Sequence, residues 1–194
     1  LAPPFTVGGP PTTASSQFRL ADVNGNASSD LLWNTPGAGS STFAYIDFQP
    51  GEQPYQLRSI TNGIGRTTTI SYGTSTAERI RDREAAAAWA RPTPSPVPVV
   101  KRIEVSDGRE AVVYATELDY HDGFFDGLER EFRGFARAER RVIGDLAQGA
   151  PTLVTAYQFD LGELEEALKG KPIVVEARDK SGEVFHRETQ LWQT

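Results

Sequence analysis

The sequence predicts a mainly β protein with two short helices, and three observations carry that prediction. Gly (18) and Pro (13) are frequent and spread along all 194 residues, which favours many short elements joined by turns. Most apolar runs are short, rich in β-branched and aromatic residues, and partly alternating, as in 41–48 (STFAYIDF) and 67–72 (TTTISY). Helix-like composition or spacing is confined to two stretches, 77–91 and the neighbourhood of 161–168.

Taken in order, residues 1–16 carry four Pro and two Gly and read as a linker or irregular lead-in. Short strands follow at 17–20 (QFRL) and 30–33 (DLLW), on either side of the polar loop DVNGNASSD. The run 41–48 places Phe43, Tyr45 and Asp47 on one face. Within 55–72, Asn62-Gly63 separates a strand-like lead from a β-branched run, which is a hairpin signal. The Ala-, Glu- and Arg-rich segment 77–91 is the first helix, stopped by the Pro tract at 92–98. Strands 99–106 and 110–120, joined by Asp107-Gly108, form a two-faced and partly covered ribbon. Helix and strand templates score alike over 131–143, and Gly134 with its β-rich neighbourhood decides for strand. Strands at 152–159, 173–178 and 183–192 complete the set. Between them Asp160 and Glu163 form a capping box, placing Leu161, Leu164 and Leu168 on one face of a short helix ended by Gly170.

Composition narrows the functions. Twenty Lys and Arg against 26 Asp and Glu give a net charge of −6, so no global field attracts nucleic acid or anionic lipid. No apolar run approaches the length of a membrane-spanning helix, and direct insertion into a membrane is not expected. Absence of Cys removes thiolate catalysis and disulfides, and two His (His121 and His186) leave little for triads or transition-metal sites. The chain opens at Leu1 with neither Met nor leader and reads as an internal piece of a longer polypeptide.

The sharpest local feature is the loop Asp22 to Asp30. Asp22, Asn24, Asn26 and Asp30 supply side-chain oxygens at positions 1, 3, 5 and 9, with Ser28 at position 7, the hard donors a weak Ca²⁺ site needs. Trp33 at position 12 and Ala27 at position 6 rule out an EF-hand. The competing reading is an Asx-turn held by its own side chains. The loop resembles the Asp-x-Asn-Gly-Asp-Gly-x-x-Asp turn of FG-GAP/VCBS repeats, which build propeller blades, although Asn26 and Ala27 depart from that pattern. With two carboxylates, affinity would lie at the weak end, about 10⁻⁴–10⁻³ M.

A second feature runs from Tyr120-His121-Asp122-Gly123-Phe124-Phe125-Asp126 into Glu129-Arg130-Glu131-Phe132-Arg133-Gly134-Phe135. Five aromatics in sixteen residues call for burial, and the alternating charges suit cross-strand pairing. The stretch resembles a signature in the middle region of the insecticidal Tc toxin B component, a relative of SpvB-type and Rhs/YD-repeat proteins. Ile60 to Gly65, Thr69 to Tyr72, Trp89 and Pro96 to Val100 match the same region in the same order. The resemblance implies a propeller-blade-like part at 1–57, the middle region at 58–146, and the start of an Rhs-type β-sheet shell at 147–194. It implies a non-catalytic segment of a secreted toxin complex. Its shell, closed with a C-type Rhs partner, would encapsulate a toxic C-terminal payload, and its propeller would dock on a pore-forming A-type component.

Two other classes compete. Arg66, Thr74-Ser75-Thr76 and Glu129-x-Glu131 mimic the motif order of ADP-ribosyltransferases, a short pattern that recurs at Glu163-x-Glu165. A stand-alone Ca²⁺-dependent adhesive or carbohydrate-binding domain is the other. His121, near Asp119, Asp122 and Asp126, reads as a turn histidine bonded to carboxylates, and His186 as a surface residue. The arginines between 130 and 141, interleaved with Glu, read as cross-strand ion pairs rather than a nucleic-acid patch. Trp33, Trp89 and Trp192 read as packing residues.

Overall fold

The computed structural model describes residues 12–37, 39–50, 55–91, 93–108, 113–145 and 153–192. Most of the predicted linker at 1–16 and the first residues of the 110–120 strand lie outside them. The chain divides into two compact units, Leu1–Pro54 and Tyr55–Thr194. Both are antiparallel β, so the predicted class holds.

In the first unit β1 (Gln17–Ala21), β2 (Asp30–Gly37) and β3 (Ser40–Ile46) form a sheet in that order. Phe18, Trp33 and Ala44 stand opposite one another across the three strands, as do Leu20, Leu31 and Ile46. Trp33 is buried, as predicted, whereas Phe43 and Tyr45 share the other, exposed face.

The second unit is one eight-stranded sheet in strict chain order: β4 (Ser59–Thr61), β5 (Thr67–Thr74), β6 (Pro98–Ser106), β7 (Val113–Asp126), β8 (Glu131–Asp145), β9 (Leu153–Phe159), β10 (Pro172–Arg178) and β11 (Val184–Thr189). The Asn62-Gly63 hairpin forms as the sequence predicts, with Asn62 Oδ1 accepting from the N–H groups of Ile64 and Arg66. At the other predicted turn Gly108 adopts φ +73°, and a Cβ there would lie 2.2 Å from the Gly65 carbonyl oxygen, so only glycine fits. The 131–143 segment is a strand, paired with β7 from Tyr114↔Asp145 to Asp126↔Glu131.

Helix α1 (Ser75–Glu84) crosses from β5 toward β6 and packs against β7 and β5. Thr74 caps it, its hydroxyl accepting from the Ala77 N–H at 3.3 Å. The helix stops seven residues short of the predicted end. Ala86 turns left-handed (φ +58°), and the N–H groups of Ala86 and Ala87 bond back to the carbonyls of Arg83 and Asp82. This is a Schellman closure with alanine where glycine is usual. It brings Trp89 back onto the helix, where its indole N–H reaches Asp82.

The second predicted helix is corrected to a single 3-10 turn, Glu166–Leu168. Asp160 Oδ1 accepts from Gly162 N, and Gly162 is left-handed (φ +67°), so the chain bends before a helix can start. Leu161 is buried while Leu164 is fully exposed, so the leucines do not share a face. Trp192 is also corrected: it is 42% exposed, donating to the Pro172 carbonyl beneath Lys171. Tyr120, Phe124, Phe125, Phe132 and Phe135 are each more than half buried, as their density in the sequence requires, and none is fully enclosed on the face of this sheet.

Candidate functional site

Two places gather carboxylates. The first is the predicted loop. Asp22 Oδ1 accepts from the N–H groups of Gly25 (2.7 Å) and Asn26 (3.1 Å), and Oδ2 from Ala27 (2.8 Å). Asn24 Oδ1 accepts from Asn26 N, and Asn26 Oδ1 accepts from both the N–H and hydroxyl of Ser28. The side chains therefore wrap the loop's own backbone into nested Asx turns. Asp30 differs. It is fully buried, Oδ2 accepts from Val23 N at 2.9 Å, and Oδ1 has no hydrogen-bond partner. Asp47, just past β3, adds a carboxylate outside the predicted ligand set: its Oδ2 accepts from the amides of Asn24 (2.6 Å) and Asn26 (3.2 Å). Among the described residues no group of three or more Asp, Glu or His is arranged as a metal cluster.

The second place was not legible as a site. It lies between α1 and the sheet of the second unit. The helix buries Ser75, Glu78 and Asp82, a polar face, instead of an apolar stripe. Glu78 and Asp82 are each only 3% exposed. Glu78 Oε2 accepts from Arg81 (2.6 Å) and Tyr120 N (3.0 Å), while Oε1 pairs with Lys101 (2.7 Å). Lys101 and Arg81 also reach Asp119 Oδ1 at 2.6 and 2.7 Å, and Arg141 meets Asp119 Oδ2 at 2.5 Å. Two carboxylates, Glu78 of α1 and Asp119 of β7, thus meet three cations from α1, β6 and β8.

Asp82 is the hub of the other half. Its Oδ1 accepts from Arg81 at 2.8 Å, and its Oδ2 from Trp89 Nε1 at 2.6 Å and His121 Nδ1 at 2.7 Å. Because a carboxylate only accepts, Nδ1 of His121 carries the proton. Arg81 also donates to the Tyr120 carbonyl, and the Tyr120 hydroxyl to the Val100 carbonyl. Burial pushes the Asp82 carboxyl up, but the hydrogen bonds of Arg81, Trp89 and His121 outweigh it and hold it below the usual carboxylate range. For Asp119 burial likewise acts upward and is overcome by Lys101, Arg141 and Arg81. Burial raises the Tyr120 hydroxyl, with Glu78 and Asp119 adding to the effect.

His121 thus bonds a carboxylate, but from within strand β7 and to Asp82 on the helix, not from a turn to its sequence neighbours. Gly123, two residues on, sits under Trp89: a Cβ there would lie 2.8 Å from the indole ring. Trp89 and Tyr120 both contact Phe135, with ring centroids 5.9 and 4.9 Å apart. Chemically this assembly is a clamp. Among the described residues no hydroxyl is hydrogen-bonded to His121, and each carboxylate is held by cations or N–H donors.

Arg133, Arg137 and Arg141 pair with Asp126, Asp122 and Asp119 on the neighbouring strand, as the cross-strand reading requires. Of the transferase-like residues, Ser75 is fully buried, its hydroxyl accepting from Val97 N at 2.9 Å. Glu131 is bound to Lys169 at 2.9 Å. No helix among the described residues is long and apolar enough to cross a membrane.

The backbone architecture, a chain-ordered antiparallel sheet carrying one helix, has counterparts among solved structures of Tc toxin complexes. It superposes on a chain of the Photorhabdus luminescens Tc holotoxin pore with a TM-score of 0.72 at 21% identity, covering 87% of this chain and 10% of that one. The TcdB2-TccC3 complex without its hypervariable C-terminal region gives 0.69 at 21% identity over the same shares. At this identity the likeness shows the fold, and this chain spans about a tenth of each of those chains. Among curated proteins none matches. The chain belongs to the family described as the insecticide toxin TcdB middle/N-terminal region, which it matches over residues 4–158.

Proposed function

We propose that this chain is a non-catalytic framework segment of a secreted bacterial toxin complex. Residues 1–57 act as the last blade of an FG-GAP/VCBS-type propeller, 58–146 as the middle region, and 147–194 as the first turns of an Rhs/YD-type β-shell. The shell, closed with a C-type Rhs partner, encloses a toxic C-terminal payload, and the propeller docks on the pore-forming A-type component. The observation that carries this reading is the sheet β4 to β11. Its strands follow chain order without exception, and among the described residues both edge strands have one free side. Such a sheet lengthens at either end by adding strands. Its buried polar groups hold α1 on the sheet, so they serve architecture.

The test is co-expression of the full-length B-type chain with its C-type partner, with and without Asp82→Ala. The expected result is loss of payload protection against protease in the variant. Full protection, despite a destabilised segment, overturns the shell reading. NAD hydrolysis by this chain that falls with Glu131→Ala would overturn the non-catalytic part.

A second reading concerns the loop of the first unit and rests on the buried, unpartnered Asp30 Oδ1. In it Asp22, Asn24, Asn26, Ser28 and Asp30 take up Ca²⁺ weakly, the ion supplying charge balance and oxygen coordination to the turn.

A further inference from the structure

Helix α1 is amphipathic in reverse. Its charged residues Glu78 and Asp82 face the sheet, while Ile80 is 39% exposed on the outside. Arg79 and Arg83 flank Ile80 one turn apart, and with Arg91, Ala88 and Trp89 these residues line a recess of about 250 Å³. Among the described residues Arg79 and Arg83 make no ion pair, although Arg81, Arg133, Arg137 and Arg141 all do. At the rim, Arg91 already binds one carboxylate, Glu163, at 2.6 Å while lying 4.5 Å over the Phe124 ring.

We propose that this recess docks an acidic peptide segment of a partner protein, one whose carboxylates flank an aliphatic side chain. Guanidiniums four residues apart on a helix lie one turn from each other and can each take a carboxylate from an extended strand. The aliphatic side chain between them then covers Ile80, Ala88 and the edge of Trp89. A bare inorganic anion leaves that apolar floor uncovered, and a basic segment is repelled. Charge complementarity selects the partner in a chain whose net charge is −6, because the recess is a local exception to the sign of the whole. The docking proposal does not depend on the shell reading.

The test uses the 194-residue chain and an acetylated, fluorescein-labelled peptide of alternating Glu and Leu, followed by anisotropy. Saturable binding is expected, weakening as salt rises. Arg79→Glu with Arg83→Glu should reduce affinity at least about tenfold. The milder Arg79→Gln with Arg83→Gln, and Ile80→Ser, should each weaken it, with circular dichroism confirming the fold. Arg130→Glu, at an exposed turn, should leave binding unchanged. The proposal is overturned if the peptide does not bind, or if the variants bind as well as the parent. It is also overturned if a Gly-for-Leu peptide or inorganic phosphate competes equally, which makes the recess a simple anion site. Dimers that light scattering detects in the parent but not in the variants, without peptide binding, would assign the recess to a second copy and overturn it too.

Discussion

The loop at residues 22–30 and the charged layer beneath α1 both hold carboxylates out of water, by opposite means. Asp22 is satisfied by three N–H groups within five residues of itself. Asp82 is satisfied by Arg81, by Trp89 after a helix closure, and by His121 almost forty residues away. A local acceptor organises only its own turn. A hub shared by distant segments holds the unit together, so its loss strands donors on several elements at once.

The largest expected effect sharpens that contrast. Asp82→Ala should cost about 3–5 kcal/mol, as when a buried charged network loses one partner. Asp22→Ala should cost about 1–2 kcal/mol, the scale of a lost local cap. Urea unfolding of both variants measures this, and equal losses would erase the distinction. Acid probes the same layer. The Asp82 and Asp119 carboxyls lie below their ordinary range in the folded state. Their contribution is therefore complete above the unfolded value of about 3.9 and falls away as pH drops through the lower folded value. Urea midpoints between pH 7 and 2.5 should fall steeply at the acid end, and less steeply in Asp119→Asn. Identical acid limbs would remove Asp119 from the account.

Next in size is the floor under Trp89. Gly123→Ala places a methyl group 2.8 Å from the indole, beside Phe135 and Thr93 at 3.3 Å. Overpacking of this kind costs about 1–3 kcal/mol. Chemical denaturation checks it, and a neutral change would mean that Trp89 can shift without disturbing Asp82.

Much of the fold was legible because its signals are local. Asn62-Gly63 announces its hairpin and the β-branched runs announce the strands, whereas β6 and β7 pair from Ser106↔Val113, a longer connection than the Asp107-Gly108 signal implies. What was illegible depends on distant partners. The 77–91 segment reads as one helix until Trp89 has to reach Asp82, and nothing in Ala85 to Ala88 marks the turn. Leu161 and Leu164 share a helical face on paper, but the Asp160–Gly162 turn sends one inward and the other to solvent. The charged layer draws on α1, β6, β7 and β8, so no contiguous motif contains it. One clue was present: a helix with Glu78, Arg81 and Asp82 but no apolar stripe must bury something other than hydrocarbon.

Ala86 gives a smaller test of that same hidden turn. A left-handed alanine costs about 1–2 kcal/mol relative to its usual conformation, and glycine relieves this while losing more chain entropy. Ala86→Gly should therefore stabilise the second unit by about 0.5–1 kcal/mol in urea unfolding. Destabilisation would show that the helix continues past Glu84 in solution.

The smallest expected effect belongs to the loop and asks whether a self-satisfied turn still has room for an ion. The nested Asx turns occupy the oxygens of Asp22, Asn24 and Asn26, so the loop folds on its own donors. Asp30 Oδ1 alone is buried without a partner there, and Asp47 adds negative charge through contacts to both Asn amides. An ion entering at Asp30 would therefore improve an existing turn rather than create one, and its benefit is small. For a dissociation constant of about 1 mM, about 2 mM Ca²⁺ should stabilise the first unit by about 0.6 kcal/mol. That predicts a rise of a few degrees in the melting transition of this unit, with a matching heat in calorimetric titration. Asp30→Asn should abolish both while leaving the urea midpoint of the second unit unchanged. No heat and no shift in the parent chain would leave the turn held by its own amides alone, and the contrast between the two carboxylate sites would then be complete.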